Sequence, residues 1–167
     1  MNQLPQILAY GIILGLFYGL VTVGLSLLFG VMKYLNIAHG SFMMLGAYAS
    51  YWLFVLLDID PILSIPLVMV LLFFAGCLLY KLLFSRLSKV SEDQRINSSM
   101  IMAFGLILII DNSAIALWTT NGRMVNTSYT STVFEVLSIK IPLTGLVVIG
   151  LTSLAIIALH LFLYKTY

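Results

Sequence analysis

Charge is scarce in this sequence: eight Lys and Arg and six Asp and Glu among 167 residues, or 8% of the chain. Soluble domains carry about 25%. With 62% hydrophobic residues and a mean hydropathy of +1.12, a water-soluble globule of this size is excluded. Its surface would hold too much apolar area, because most residues of a small fold still touch water. Cysteine is almost missing too. Cys77 stands alone inside an apolar run, so no internal disulfide forms. The net charge is only +2 and no cluster of bases is interleaved with aromatics, which argues against nucleic-acid binding. Short segments of alternating hydrophobicity, the mark of a transmembrane barrel, are not the dominant pattern. Nor is there a Walker-type glycine loop, an HExxH helix or a Gly-x-Ser-x-Gly elbow. The chain reads as a non-enzyme that cannot hydrolyse ATP on its own. His39 and His160 have no partner carboxylates or thiolates nearby, so no metal site is expected.

What the sequence does have is long apolar runs, at residues 7–32, 41–57, 62–84, 98–118 and 142–164. A helical crossing needs roughly 20 apolar residues, so these predict an all-α, polytopic transmembrane helix bundle of about five spans, a single domain over 1–167. The first run is too long for the apolar core of a secretory signal, and Met1 to Gln6 carry no Lys or Arg. Orientation follows from the basic residues. If Ser85–Asn97 is cytoplasmic, Lys33, Lys81, Arg86, Lys89, Arg95 and Lys165 lie inside, against Arg123 and Lys140 outside. That predicts an external N-terminus. The long connection Thr119–Ile141 is then external. Its Asn121-Gly122 turn signal and the alternation in Leu137-Ser138-Ile139-Lys140-Ile141 suggest a short hairpin in preference to an interfacial helix.

Several residues stand out against this background. Gly11, Gly15 and Gly19 recur every four residues, on one helix face. They allow a close helix approach, either within the chain or to another subunit, with packing inside the chain favoured. Asn36-Ile37-Ala38-His39-Gly40 interrupts the first two runs. It is either a plain cytoplasmic turn or an unwound break at membrane depth, of the kind that borders transport pathways. Asp111, beside Asn112 and Ser113, sits well inside the fourth run. An ionisable group there serves a proton relay or substrate contact, or a structural hydrogen bond to a neighbouring helix. His160 reads as a satisfied or interfacial histidine, Met43, Met44 and Cys77 as packing residues, and Tyr48, Tyr51 and Trp52 as part of an aromatic belt.

Three blocks in order carry a resemblance: Gly24-Leu25-Ser26-Leu27-Leu28-Phe29-Gly30-Val31-Met32, Asn36-Ile37-Ala38-His39-Gly40 and Met44-Leu45-Gly46-Ala47-Tyr48. Together they closely resemble the signature of Liv-type permeases, the membrane subunits of branched-chain amino acid ABC importers. Phe104-Gly105-Leu106 followed by Asp111-Asn112 looks like a further family segment, with Asp where a longer residue is usual. The resemblance implies import of leucine, isoleucine and valine, although the family also includes importers of urea and short amides. It implies an inner-membrane location and four kinds of partner: the lipid bilayer, a second permease subunit, two cytoplasmic ATPase subunits that use the ATP, and a periplasmic binding protein. It places Asn36, His39 and Gly40 in a functional break. Members of the family run to nearly twice this length, so a truncated permease is expected. A small proton-coupled carrier or channel using Asp111, or a non-transporting truncated remnant, are the other readings.

Overall fold

The computed structural model describes residues 3–136 and 139–166, and the side chains among them apart from those of Val136 and Thr166. Five α-helices dominate: α1 (Leu4–Met32), α2 (His39–Leu57), α3 (Pro61–Leu79), α4 (Glu92–Trp118) and α5 (Leu143–Thr166). All five, α3 together with its continuation to Lys89, are long and apolar enough to cross a membrane, so the expected helical bundle of five spans holds. Burial confirms the solvent. Ser64 and Ser99 are fully enclosed, whereas Leu63 and Ile101 are more than 70% exposed. Small and hydroxylated residues meet other helices and large aliphatic ones face outward, the arrangement that lipid favours.

The helix ends are where sequence chemistry is most legible. Asp60 precedes Pro61, and its Oδ1 accepts the Ile62 N–H at 2.8 Å, capping α3. Lys33 (φ 57°) and Asp58 (φ 53°) take left-handed conformations just past the ends of α1 and α2, a place usually given to glycine. Two boundaries differ from the hydropathy reading. The stretch Ser85–Asn97, which separates the third and fourth apolar runs, is mostly helical: α3 continues through a π-turn (Tyr80–Phe84) and a 3-10 turn (Ser85–Lys89), and α4 already begins at Glu92. Hydropathy registers the edge of the bilayer, while the helix runs on beyond it; Glu92 and Asp93 in its first turn suit the positive end of the helix dipole. The break is shorter than the polar string, because His39 and Gly40 already form the first turn of α2.

The chain divides into two units. One comprises residues 1–24 and 126–167. In it, β1 (Val133–Val136) pairs antiparallel with β2 (Ile139–Pro142), Glu135 opposite Lys140. This is the expected hairpin; Leu137 and Ser138 of the alternating stretch lie outside the described residues. Asn121-Gly122, however, sits in irregular chain well before it and does not form its turn. The Gln6 amide clamps the hairpin by donating to the Lys140 carbonyl at 2.7 Å and accepting from its N–H at 2.8 Å. A Cβ added at Gly145 would come within 3.0 Å of Ile13 Cδ1, so this glycine lets α5 approach α1.

The other unit, residues 25–125, holds the end of α1, the break and α2 to α4. Gly46 admits Leu72, whose Cδ1 would stand 3.2 Å from an added Cβ, and Ser50 and Ser64 share a 2.7 Å hydrogen bond. These contacts close α2 on α3. The core of this unit is Ala38 with Ala103, Leu106 and Ile110 of α4, extended below by Tyr34, Phe84 and Leu87.

Candidate functional site

The buried residues of α4 are Ser99, Ala103, Leu106, Ile110 and Ala114. Their spacing of three and four puts them on one face, and the segment between α1 and α2 lies along that face. The Leu35 N–H donates to Ser99 Oγ at 3.0 Å. Ala38, with no exposed surface, packs on Ala103, Leu106 and Ile110. The Ser41 hydroxyl donates to Asp111 Oδ1 at 2.7 Å. Twelve residues of α4 separate Ser99 from Asp111, about 18 Å of helix at 1.5 Å per residue. Six residues of helix would cover only about 9 Å, and the longer reach comes from Leu35–Ala38, which lie outside the helices before α2 begins at His39. The break therefore lies as a short strap along the buried face of α4.

The lower end of the strap is pinned twice. The Tyr34 hydroxyl donates to the Phe84 carbonyl at 3.2 Å. The Arg95 guanidinium lies 6.0 Å from the Tyr34 ring and donates to the carbonyls of Leu87, Ser88 and Val90 at 3.2–3.3 Å. A single cation thus gathers three carbonyls at the end of the 3-10 turn, and the sequence had offered Arg95 only as one positive charge among eight. Lys33 adds an exposed 3.9 Å ion pair with Glu92, of little energetic weight.

Beside the strap opens a cleft of about 670 Å³. Leu28 and Met32 from α1, Phe42 from α2 and Leu72, Phe73, Gly76 and Leu79 from α3 make its walls apolar, and Tyr34, Asn36, His39, Cys77 and Tyr80 supply the polar atoms. Asn36 Oδ1 is buried and, among the described residues, has no hydrogen-bond partner. Of the residues singled out in the sequence, the structure brings Asn36 and His39 together here. Gly40 is adjacent in the first turn of α2 but exposed. Asp111 belongs to the same strap at its other end, through Ser41. Asn112 turns away and donates to its own helix, at the Leu108 carbonyl (2.7 Å).

Other expectations are redistributed. A Cβ added at Gly11, Gly15 or Gly19 would meet nothing within 4 Å. Among the described residues of its own unit, no side chain is thus seated on the stripe. Cys77 is exposed and lines the cleft, where a packing residue had been expected. Met44 does pack against the core. Tyr48 stacks on Trp118 at 4.3 Å. Arg123 lies just over 5 Å from the rings of both Tyr51 and Trp52 and donates to the Trp118 carbonyl at 3.0 Å. His160 stacks on Tyr164, one turn along α5, at 6.5 Å. Among the described residues no three His, Cys, Asp or Glu side chains gather as a metal site.

Comparison with known proteins bears on this arrangement. A family model described as the permease component of the branched-chain amino acid transport system matches residues 7–167. The high-affinity branched-chain amino acid transport system permease protein BraD of Pseudomonas aeruginosa is 32% identical over 71 residues. That match covers 42% of this chain and 23% of the relative's length. No solved structure matches.

Proposed function

This chain belongs to the family of branched-chain amino acid transport permeases, and on that premise we propose that it forms part of the membrane pathway of an importer for leucine, isoleucine and valine. The observation that carries the reading is the strap. A break between two spans, with the Leu35 N–H held by Ser99 and the Ser41 hydroxyl by Asp111 of a neighbouring helix, offers polar backbone where a span otherwise offers only hydrocarbon, which suits a pathway wall. No catalytic role falls to any side chain of this unit. The energy comes from ATP hydrolysed by two separate cytoplasmic ATPase subunits. A periplasmic binding protein delivers the ligand, and a second permease subunit completes the pathway. The open glycine stripe of α1 supports that last partner, since removing side chains prepares a helix for close approach.

The test is uptake of labelled leucine into cells lacking their own importers. They are supplied with this chain, its companion permease, the two ATPases and the binding protein. Uptake that requires all components and ATP supports the proposal. Uptake by this chain alone, driven by a proton gradient, would replace it with a secondary carrier.

A further inference from the structure

The side of α4 that its own unit leaves open carries a regular pattern. Ser98, Gly105 and Asn112 recur every seven residues, and Ile101, Leu108 and Ile115 repeat at the same spacing three residues further on. Two such series are the pattern of helices that pack along their length with a left-handed twist. At 3.6 residues per turn this seam lies away from Ser99, Ala103, Leu106, Ile110 and Ala114, the buried face of α4. Ile101, Leu108 and Ile115 are each more than half exposed, and a Cβ added at Gly105 meets nothing within 4 Å. Asn112 is exposed inside the apolar run 98–118. One of its N–H groups goes to the Leu108 carbonyl; its Oδ1 and second N–H have no partner among the described residues.

We propose that this seam packs in parallel against the same seam of a second copy of the chain, with the two Asn112 amides hydrogen-bonded to each other across a twofold axis. Lipid covers the aliphatic residues but cannot satisfy an amide. Water satisfies the amide but is a poor solvent for the three aliphatic layers. A second helix suits both. Copies inserted in one bilayer with one topology present their α4 helices parallel, so a twofold contact sets each layer against its like. An amide is donor and acceptor at once, which makes Asn112 its own complement. Gly105 facing Gly105 lets the backbones close, and Ile101, Leu108 and Ile115 fill the layers between. One Asn among such layers also fixes the register of the pair. The contact is independent of the transport function proposed above and of the α1 stripe.

The test uses the full chain in the membrane, with Cys77→Ser as background and cysteines introduced singly. Ser98→Cys and Leu108→Cys lie in the seam, and Met100→Cys, also exposed, lies off it as the control. On oxidation the two seam positions should give a disulfide-linked dimer of this chain, at about fivefold or more the yield of the control, since only they bring like positions within bonding reach. For the amide, energy transfer between labelled copies in liposomes reports association. Asn112→Leu should weaken it about tenfold, and Asn112→Gln should retain it. Because Asn112 bonds only to its own helix, the leucine variant should insert in the membrane at the parent's abundance. Equal yields at the three cysteine positions, or no dimer at any of them, overturn the contact. So does ready labelling of Leu108→Cys by a membrane-impermeant maleimide, the sign of a water-lined wall, and so does an Asn112→Leu variant that associates as well as the parent.

Discussion

Asp111 meets Ser41 through one hydrogen bond of 2.7 Å, and Ser41 is itself buried. The pair behaves as a latch in which the acceptor, not the charge, is what matters. Asp111→Asn preserves an acceptor of the same shape and should leave thermal stability in detergent within about 1 kcal/mol of the parent, whereas Asp111→Leu strands the Ser41 hydroxyl and should cost about 1–3 kcal/mol. In the assembled importer, Asp111→Asn should also retain leucine uptake that an uncoupler does not abolish when ATP is held constant. Loss of uptake in that variant, with strict dependence on the proton gradient, would assign Asp111 a proton-carrying role. Sequence alone left this residue between two readings, because a carboxyl inside a span announces a cost without naming the partner that offsets it. Ser41 lies 70 residues away, and only the fold brings it near. Arg95 shows the same limit: its charge was plain, but its three carbonyl partners depend on a 3-10 turn that hydropathy does not register.

At the scale of elements, the five helices follow directly from unbroken apolar runs, and the ends follow from local chemistry such as Asp60-Pro61. The strand β2 was legible in the alternation around Ile139-Lys140-Ile141, but its partner β1 was not, since Val133-Phe134-Glu135-Val136 lacks a strict alternation. The cleft was illegible for a different reason. Its walls come from four segments, and no periodicity in any one of them encodes the space between. The glycine stripe of α1 yields a prediction at this scale. With nothing within 4 Å of an added Cβ, Gly15→Leu should leave this chain folded and abundant. If the stripe receives the second permease subunit, the same substitution should abolish recovery of that subunit in a detergent pull-down. Normal recovery means the stripe faces lipid.

For the whole molecule, the division of Lys and Arg, six to two if Ser85–Asn97 is cytoplasmic, predicts the orientation in the bilayer. Lys81, Arg86, Lys89 and Arg95 crowd the α3–α4 junction, and that end should face the cytoplasm. In a Cys77→Ser background, Ser128→Cys should react with a membrane-impermeant thiol reagent in intact cells, and Ser91→Cys should react only after permeabilisation. The reverse pattern inverts the topology. The membrane class itself was never in question from composition, because 8% charge cannot clothe a globule in water.

The strap also constrains biosynthesis. Its anchors, Ser99 and Asp111, are translated 64 and 70 residues after the groups they hold, Leu35 and Ser41. While α1, α2 and α3 enter the membrane, the unwound backbone between the first two has none of these partners and must stay hydrated or shielded by the insertion machinery. Maturation is thus gated by the arrival of α4, and nascent chains stalled after Lys89 should be cleared by membrane proteases, whereas chains stalled after Arg123 should persist. Pulse-chase labelling of the two arrested forms measures this directly; equal lifetimes would mean that the strap is stabilised before its anchors emerge.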